Sequence, residues 1–270
     1  MHYNNIDGVP EFEAIEYSDK KSDYCVLIPI LNEGSRIAKE LERAKNSGID
    51  ALCDIVICDA NSTDGSTDEK MLRKFGVNTL LVKLGKGKQG AQLRMGFWWA
   101  VQRSYKGFIT IDGNNKDSIE DIPLFIDKLK EGYDFIQGSR FVTGGKAINT
   151  PFMRYISIRM LHAPIISLTA RRWFTDTTNA YRAYSLRYII DPRLQIFRDI
   201  FSTYELLAYL SVRATQLGLR ACEVPVSREY PKGVKTPTKI SPIKGNWMLL
   251  KILILNFIGK YNPDMKTNKE

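Results

Sequence analysis

The sequence predicts an α/β chain: a mostly parallel sheet with helices on both faces. Three observations carry this. Short apolar, β-branched runs recur along the first 140 residues. Stretches with apolar residues at helical spacing alternate with them. Clusters of Asp, Asn, Ser and Gly follow the runs, where turn formers belong. Repeated βα units of this length pair their strands in parallel and cover the sheet on both sides.

Taken in order, residues 1–23 read as a polar arm. Asp7, Glu11, Glu13, Glu16, Asp19 and Asp23 make it the opposite of a basic secretion signal. Tyr24–Ile30 is a continuous apolar run, as in a strand buried on both faces. Ile37, Leu41 and Ala44 set a helix over 34–47. A strand over 54–58 leads into a turn-rich loop at 59–65, a helix at 66–75 and a third strand at 77–84. A helix over 91–103, a strand over 107–111, a helix over 119–131 and a strand over 133–137 follow. Past 145 the pattern changes. Residues 152–174 mix Phe, Met, Ile and Leu with Arg154, Arg159, His162, Arg171 and Arg172. Residues 176–185 are polar and turn-like, 203–217 helical, 221–226 a strand, and 228–246 a basic Pro/Gly-rich loop. The apolar run 247–258 is interrupted by Lys251 and is shorter than the roughly 20 residues of a membrane span, so it reads as a core or interfacial helix. The organisation is therefore an arm (1–23), one α/β domain (24–240) and a C-terminal helix and tail (241–270).

The 270 residues are 44% hydrophobic and 26% charged, which excludes a disordered or fibrous chain. The net charge of +9 is uneven. Residues 1–150 hold 20 Lys/Arg against 22 Asp/Glu, and residues 151–270 hold 19 against 8, a balance of −2 and +11. A cationic half calls for an anionic partner, whether nucleic acid, an anionic membrane or a phosphorylated substrate, unless it is simply a solvated basic face. Cys25, Cys53, Cys58 and Cys222 form no C-x-x-C pair and read as free thiols of a reducing compartment.

Ligands of parallel sheets sit beyond the carboxyl ends of the strands. Asn32 and Glu33 follow the first strand, Asp59, Asn61, Ser62, Thr63 and Asp64 the second, and Asp112, Asn114 and Asp117 the fourth. Acids in such places hydrogen-bond a nucleoside's base and ribose. Asp112 and Asn114, separated by Gly113, can aim two oxygens at one Mg²⁺ or Mn²⁺ shared with substrate phosphates. Each cluster alone is ordinary turn chemistry; three at three strand ends point to a ligand. Gly85-Lys-Gly87-Lys-Gln-Gly90 is also a literal G-x-G-x-x-G, with Asp112 about twenty residues on, which keeps a nicotinamide enzyme as a minor alternative. Its Lys86 and Lys88 suit phosphate neutralisation.

Val26-Leu-Ile-Pro-Ile-Leu-Asn-Glu33, Asp59-Ala-Asn-Ser-Thr-Asp-Gly65, Gly90-Ala-Gln-Leu-Arg-Met-Gly96, Ile111-Asp-Gly-Asn114, Gly138-Ser-Arg-Phe141 and Asp176-Thr-Thr-Asn-Ala-Tyr-Arg182 occur in that order. Over residues 24–240 the set resembles family 2 glycosyltransferases of the GT-A fold, in particular dolichol- or polyprenyl-phosphate mannose synthase-like enzymes. The resemblance implies inverting transfer of a hexose from a UDP- or GDP-linked donor with Mg²⁺ or Mn²⁺. It implies a donor site at Pro29, Asn32, Glu33, Asp59, Asp64, Lys88, Arg94, Asp112 and Gly113, with metal at Asp112 and Asn114. The chain departs from the family pattern at Asn114, where a second acid is usual, and at Ala60 and Asn61, where Asp-Gly is usual. Asp117 is a spare carboxylate nearby. The implied catalytic set is Asp112, Arg140, Asp176 and Arg182.

A lipid-phosphate acceptor is already an anion and needs cations, for which Arg140, Arg182, Lys232, Lys235 and Lys239 are available; Arg182 is alternatively an ion-pair partner of Asp176. A saccharide hydroxyl acceptor needs a carboxylate base, Asp176 or Glu205. The expected setting is the cytoplasmic face of an anionic membrane, with 151–174 as interfacial helices, although Phe152, Ile156, Ile158, Leu161, Ile165 and Leu168 are alternatively core residues. Nucleic acid is not an expected partner, because the strongest motifs lie in the neutral half; a basic nucleic-acid-binding module is the rival of another class.

Overall fold

The computed structural model describes residues 1–231 and 244–263. The strands are β1 (His2–Tyr3), β2 (Phe12–Glu16), β3 (Tyr24–Ile30), β4 (Asp54–Asp59), β5 (Val77–Lys83), β6 (Gly107–Thr110), β7 (Phe135–Ser139), β8 (Lys146–Ile148), β9 (Arg182–Ser185), β10 (Ala221–Pro225) and β11 (Ser227–Glu229). The helices are α1 (Ser35–Asn46), α2 (Ile49–Leu52), α3 (Glu69–Lys74), α4 (Gln89–Gln102), α5 (Ile122–Lys130), α6 (Phe152–Ser157), α7 (Ala163–Ala170), α8 (Leu186–Ile189), α9 (Glu205–Gln216) and α10 (Lys244–Phe257). A 3-10 turn, Ile119–Asp121, leads into α5, and a π-helical stretch, Ile158–His162, joins α6 to α7.

The main sheet runs β1-β2-β5-β4-β3-β6-β9-β7-β10. Its centre, β5-β4-β3-β6, is parallel, as the continuous apolar runs require. Alternate residues of β3 enter opposite layers: Cys25 and Leu27 pack with α4 and α9, Val26, Ile28 and Ile30 with α1 and α5. Both faces are thus covered, and no strand in the centre alternates with polar residues. A two-stranded parallel ribbon, β8 with β11, stands apart from the main sheet.

Three segments differ from the sequence expectation. The polar arm holds an edge strand: β2 pairs antiparallel with β5 from Phe12↔Lys83 to Glu16↔Thr79. Phe12 and Ala14 face inward, and Phe12 stacks on Tyr3 at 4.7 Å between centroids. The acids that make this stretch look unstructured occupy the outward positions Glu13 and Glu16. Within the turn-like 176–185, β9 is inserted antiparallel between β6 and β7. Arg182 bonds backbone carbonyls and Ser185 bonds Asp134, so polarity there marks internal hydrogen bonding rather than solvent. The helix expected over 66–75 is shorter, because the Asp68 carboxylate accepts from the Met71 N–H at 2.8 Å and starts α3 there.

Candidate active site

The order β4-β3-β6 brings the loops after residues 30, 59 and 111 side by side, with β3 and β6 as the switch point of the strand order. The first two loops are stitched by serine. Ser66 Oγ accepts from the N–H groups of Glu33 (3.0 Å) and Gly34 (2.7 Å), and Ser62 Oγ from that of Asn32 (2.9 Å). Asn32 Oδ1 accepts from the Thr63 N–H at 2.8 Å. Asp59 is buried and spends both carboxylate oxygens on Ser62, so it shapes its turn. Asp64 is exposed and accepts from Ser66, whose hydroxyl lowers its pKa below the usual carboxylate value. Glu33 pairs with Arg36 at 2.8 Å. Pro29 is half-buried near the end of β3.

The third loop carries the acid that faces the cleft. Asp112 keeps 23% side-chain exposure, and its Oδ1 accepts from Gln89 Nε2 at 3.0 Å. That contact ties it to the loop bearing Lys88, which is exposed. Gly113 is required by close approach, since a Cβ there would lie 2.5 Å from Ile30 Cγ2. Asn114 donates its amide to Asp112 Oδ2 at 3.4 Å and leaves its Oδ1 buried without a hydrogen-bond partner.

Behind the loop stands Glu40 of α1, fully buried, which the sequence reading missed. Its Oε2 accepts from the Asn115 N–H at 2.7 Å, while its Oε1 has no hydrogen-bond partner. Burial pushes its carboxyl well up, with the acids Asp117 and Asp112 adding to that. Arg43, one turn on, donates to Asn115 Oδ1 at 2.9 Å and Glu120 at 2.5 Å. Asn115 itself has a φ of 56°, in the left-handed region that Asn tolerates. Glu40 and Arg43 therefore hold the Asp112–Asp117 turn from below. The signal was available as an acid at the inward helical spacing of Ile37, Leu41 and Ala44.

One carboxylate and one unengaged amide oxygen fit a divalent cation that takes most of its ligands from a substrate diphosphate and water. Among the described residues, no group of three or more His, Cys, Asp and Glu stands together as a metal set. Asp117 is not a spare ligand: it is fully buried and paired with Arg228. Burial outweighs Arg228 there and raises its pKa to about 6.

Arg228 organises a cationic cluster that the motifs did not mark. Its Nη2 lies 3.4 Å from Asp112 Oδ2, and its guanidinium stacks over Tyr230, 5.7 Å from the centroid. Lys116 and Arg154 lie over the same ring at 5.5 and 5.7 Å, and Arg154 donates to the Tyr230 hydroxyl at 3.1 Å. Burial alone would raise the Tyr230 phenol; Arg228, Arg154 and Arg140 outweigh it and bring its pKa below the ordinary value. The Lys116 ammonium is lowered, first by burial and then by Arg228. The usable signal was a basic residue just beyond a strand end, Arg228 after 221–226.

Several expected residues lie elsewhere. Arg182 is buried and donates to three backbone carbonyls, of Asn179 (2.9 Å), Leu207 (2.6 Å) and Thr177 (3.0 Å). It is a clamp behind β9, paired neither with substrate space nor with Asp176. Asp176 instead takes Arg140, with Nε–Oδ2 2.6 Å and Nη2–Oδ1 2.8 Å, both side chains inside. Arg140 keeps only Nη1 unpartnered. Glu205, the other candidate base, accepts from the N–H (2.6 Å) and hydroxyl (2.8 Å) of Thr203. Arg94 is buried between the Gly8 carbonyl and Asp199, away from the strand ends. Lys232, Lys235 and Lys239 lie outside the described residues. In the segment 152–170, Ile158 packs inward and Ile165 is partly buried against the core, whereas Phe152, Leu161 and Leu168 are exposed.

The literal G-x-G-x-x-G has a packing explanation. Gly90 lets α4 approach the 201–203 loop, where a Cβ would come within 2.6 Å of the Phe201 and Thr203 carbonyls. Comparison with known proteins agrees with this geometry. Glycosyl transferase family 2 matches residues 25–204. An undecaprenyl-phosphate mannosyltransferase of Micrococcus luteus is 28% identical over 207 residues, covering 74% of this chain and 81% of that one. A polyprenol monophosphomannose synthase of Mycolicibacterium smegmatis is 25% identical over 213 residues, covering 75% and 76%. Among solved structures, glucosyl-3-phosphoglycerate synthase of Mycobacterium tuberculosis, crystallised with Mn²⁺, UDP and phosphoglyceric acid, superposes with a TM-score of 0.61 at 16% identity over 90% of this chain and 80% of that one. A GT-A sheet with its strand-end loops gathered around Asp112, matched by the family over two thirds of its length, leaves no place for the nicotinamide alternative: the chain belongs to glycosyl transferase family 2 and is a glycosyltransferase.

Proposed function

We propose that the enzyme transfers a hexose, with inversion, from a UDP- or GDP-linked donor to a polyprenyl phosphate at a membrane surface. The observation that carries this reading is the position of Arg228, which contacts Asp112 and Asp117 on one side and the Tyr230 cluster of Lys116 and Arg154 on the other. An anion-binding cluster thus adjoins the acid of the donor site. A phosphate acceptor brings its own nucleophilic oxygen and needs such cations. A hydroxyl acceptor needs a free carboxylate base, yet Asp176 is spent on Arg140 and Glu205 on Thr203. The names of the lipid-phosphate mannosyltransferases to which the chain is similar support the same acceptor class.

Pro29, Asn32, Glu33, Asp59 and Asp64 would frame the nucleoside and Lys88 the diphosphate. Asp112 and Asn114 would hold Mg²⁺ or Mn²⁺, which would supply positive charge to stabilise the leaving diphosphate. Arg228 and Lys116 add positive charge beside it. Contact with an anionic membrane is supported by the exposure of Phe152, Met153 and Met160, which flank Arg154 and Arg159. No helix of the described residues is long and apolar enough to cross a membrane, which fits a peripheral enzyme. The free thiols fit the cytoplasmic face. The test is release of nucleoside diphosphate from a panel of UDP and GDP sugars with Mn²⁺, in detergent, with polyprenyl phosphate or a soluble sugar as acceptor. Release that requires the lipid phosphate is expected; equal release with the soluble sugar would overturn the acceptor.

A further inference from the structure

Two exposed apolar stripes meet on the side of the molecule built by α7, α9 and α10. Along 152–170, Met153, Met160 and Leu168 are 71%, 72% and 68% exposed. Their spacings of seven and eight residues put them on one side of the helical run. On α10 and the turn after it, Trp247, Ile254 and Ile258 repeat the pattern at seven and four, with Phe257 beside them, all at least half exposed. The stripes are adjacent: α10 packs on α7 and α9, and Leu168 and Phe257 line one open cleft of about 380 Å³.

The polar wall of this cleft is cationic. Arg171, Arg213, Gln216 and Asn262 line it. Arg213 donates to Gln216 Oε1 and to the Arg193 carbonyl, each at 3.1 Å, and its Nε is buried without a hydrogen-bond partner. Neither arginine forms an ion pair with a described residue. In sequence, 151–175 hold four Arg and 244–263 three Lys, and neither stretch has any Asp or Glu. A second copy of this face would oppose these cations to themselves. A layer with anionic phosphate above hydrocarbon satisfies both the cations and the stripes.

We propose that the α7–α9–α10 cleft is an anionic-lipid site, in which Arg171 and Arg213 hold the headgroup phosphate of a bilayer phospholipid while Leu168, Phe257 and Ile258 enter the acyl boundary. The inference rests on the membrane location proposed above and adds a second attachment point, built by α10.

The experiment is co-sedimentation of the full chain with vesicles of phosphatidylcholine alone and of phosphatidylcholine with phosphatidylglycerol. The wild type is expected to bind the second kind preferentially. Arg171→Gln/Arg213→Gln weakens that binding roughly thirtyfold, at about fivefold per cation near the surface. Leu168→Asp/Phe257→Asp abolishes it, and circular dichroism melting checks that these exposed substitutions leave the fold intact. Nucleoside diphosphate release with a short-chain, detergent-dispersed polyprenyl phosphate stays at the wild-type level in both variants. Vesicle binding unchanged in both folded variants would overturn the proposal. So would a wild type that binds inorganic phosphate, read by melting shift, but no vesicles. If release with the lipid phosphate is absent from the wild type while vesicle binding follows the pattern above, the acceptor assignment falls and the lipid site stands.

Discussion

Asp112 and Arg140 hold equivalent places, each at the carboxyl end of a strand of the same direction, each singled out by a motif. They meet opposite environments. The Asp112 side chain is 23% exposed and faces the cleft, whereas that of Arg140 is 1% exposed and locked onto Asp176. The difference lies in what comes next in the sheet. Beyond β6 the loop turns into the crevice between β3 and β6. Beyond β7 the chain meets the segment that enters β9, which supplies a carboxylate to match the guanidinium. A strand end locates a residue but does not decide whether it serves a ligand or another part of the chain.

The largest expected effect tests the open side. Asp112→Ala lowers nucleoside diphosphate release on the order of a thousandfold while leaving the melting temperature in place. An active Asp112→Ala enzyme would remove the donor-side assignment. The closed side is tested by stability. Asp176→Ala strands a buried guanidinium and costs about 3–5 kcal/mol in urea unfolding, and the pair Arg140→Met/Asp176→Leu recovers most of it. Full stability of Asp176→Ala would mean that Arg140 is free to serve substrate after all.

A smaller effect sharpens the contrast within the donor side. Glu40→Ala releases the Asn115 N–H and lowers Mn²⁺ affinity, read by electron paramagnetic resonance, roughly tenfold or more, as for other residues that orient metal ligands. Glu40→Gln keeps the acceptor and stays close to wild type; equal loss in both would point to the charge instead of the hydrogen bond. The smallest concerns pH. His162 is held down to about 4, by burial first and by Arg154 second. Its folded-state pKa lies below the unfolded one, so its neutral form favours the fold. That contribution is present above the ordinary imidazole value and is lost as pH falls from there toward 4. His162→Gln flattens the slope of urea stability between pH 7 and 5; an unchanged slope would place the titration elsewhere.

Much of the parallel centre was legible, since β3, β4 and β6 each follow a run of apolar residues that a doubly covered strand explains. The positions of the loops around Asp112 were legible for the same reason, because turn formers after such runs mark strand ends. β2 and β9 were not, as each carries charged or hydroxyl side chains whose exposure or internal pairing depends on a distant strand. Arg154 and Arg228 were visible as basic residues, but their meeting over Tyr230 joins positions 74 apart in the chain.

The sequence by itself determined which residues build strands, where those strands end and that the second half is cationic. These are local properties, set by side-chain periodicity and by turn chemistry over a few residues. Only the tertiary structure decided which charges face the cleft. Burying a charge without a partner costs several kcal/mol, so Arg140, Arg182 and Asp117 were each drawn to the group that compensates them, and those groups come from 3 to 111 positions away. What remained near Asp112 was the set around Arg228, and that set carries the acceptor proposal.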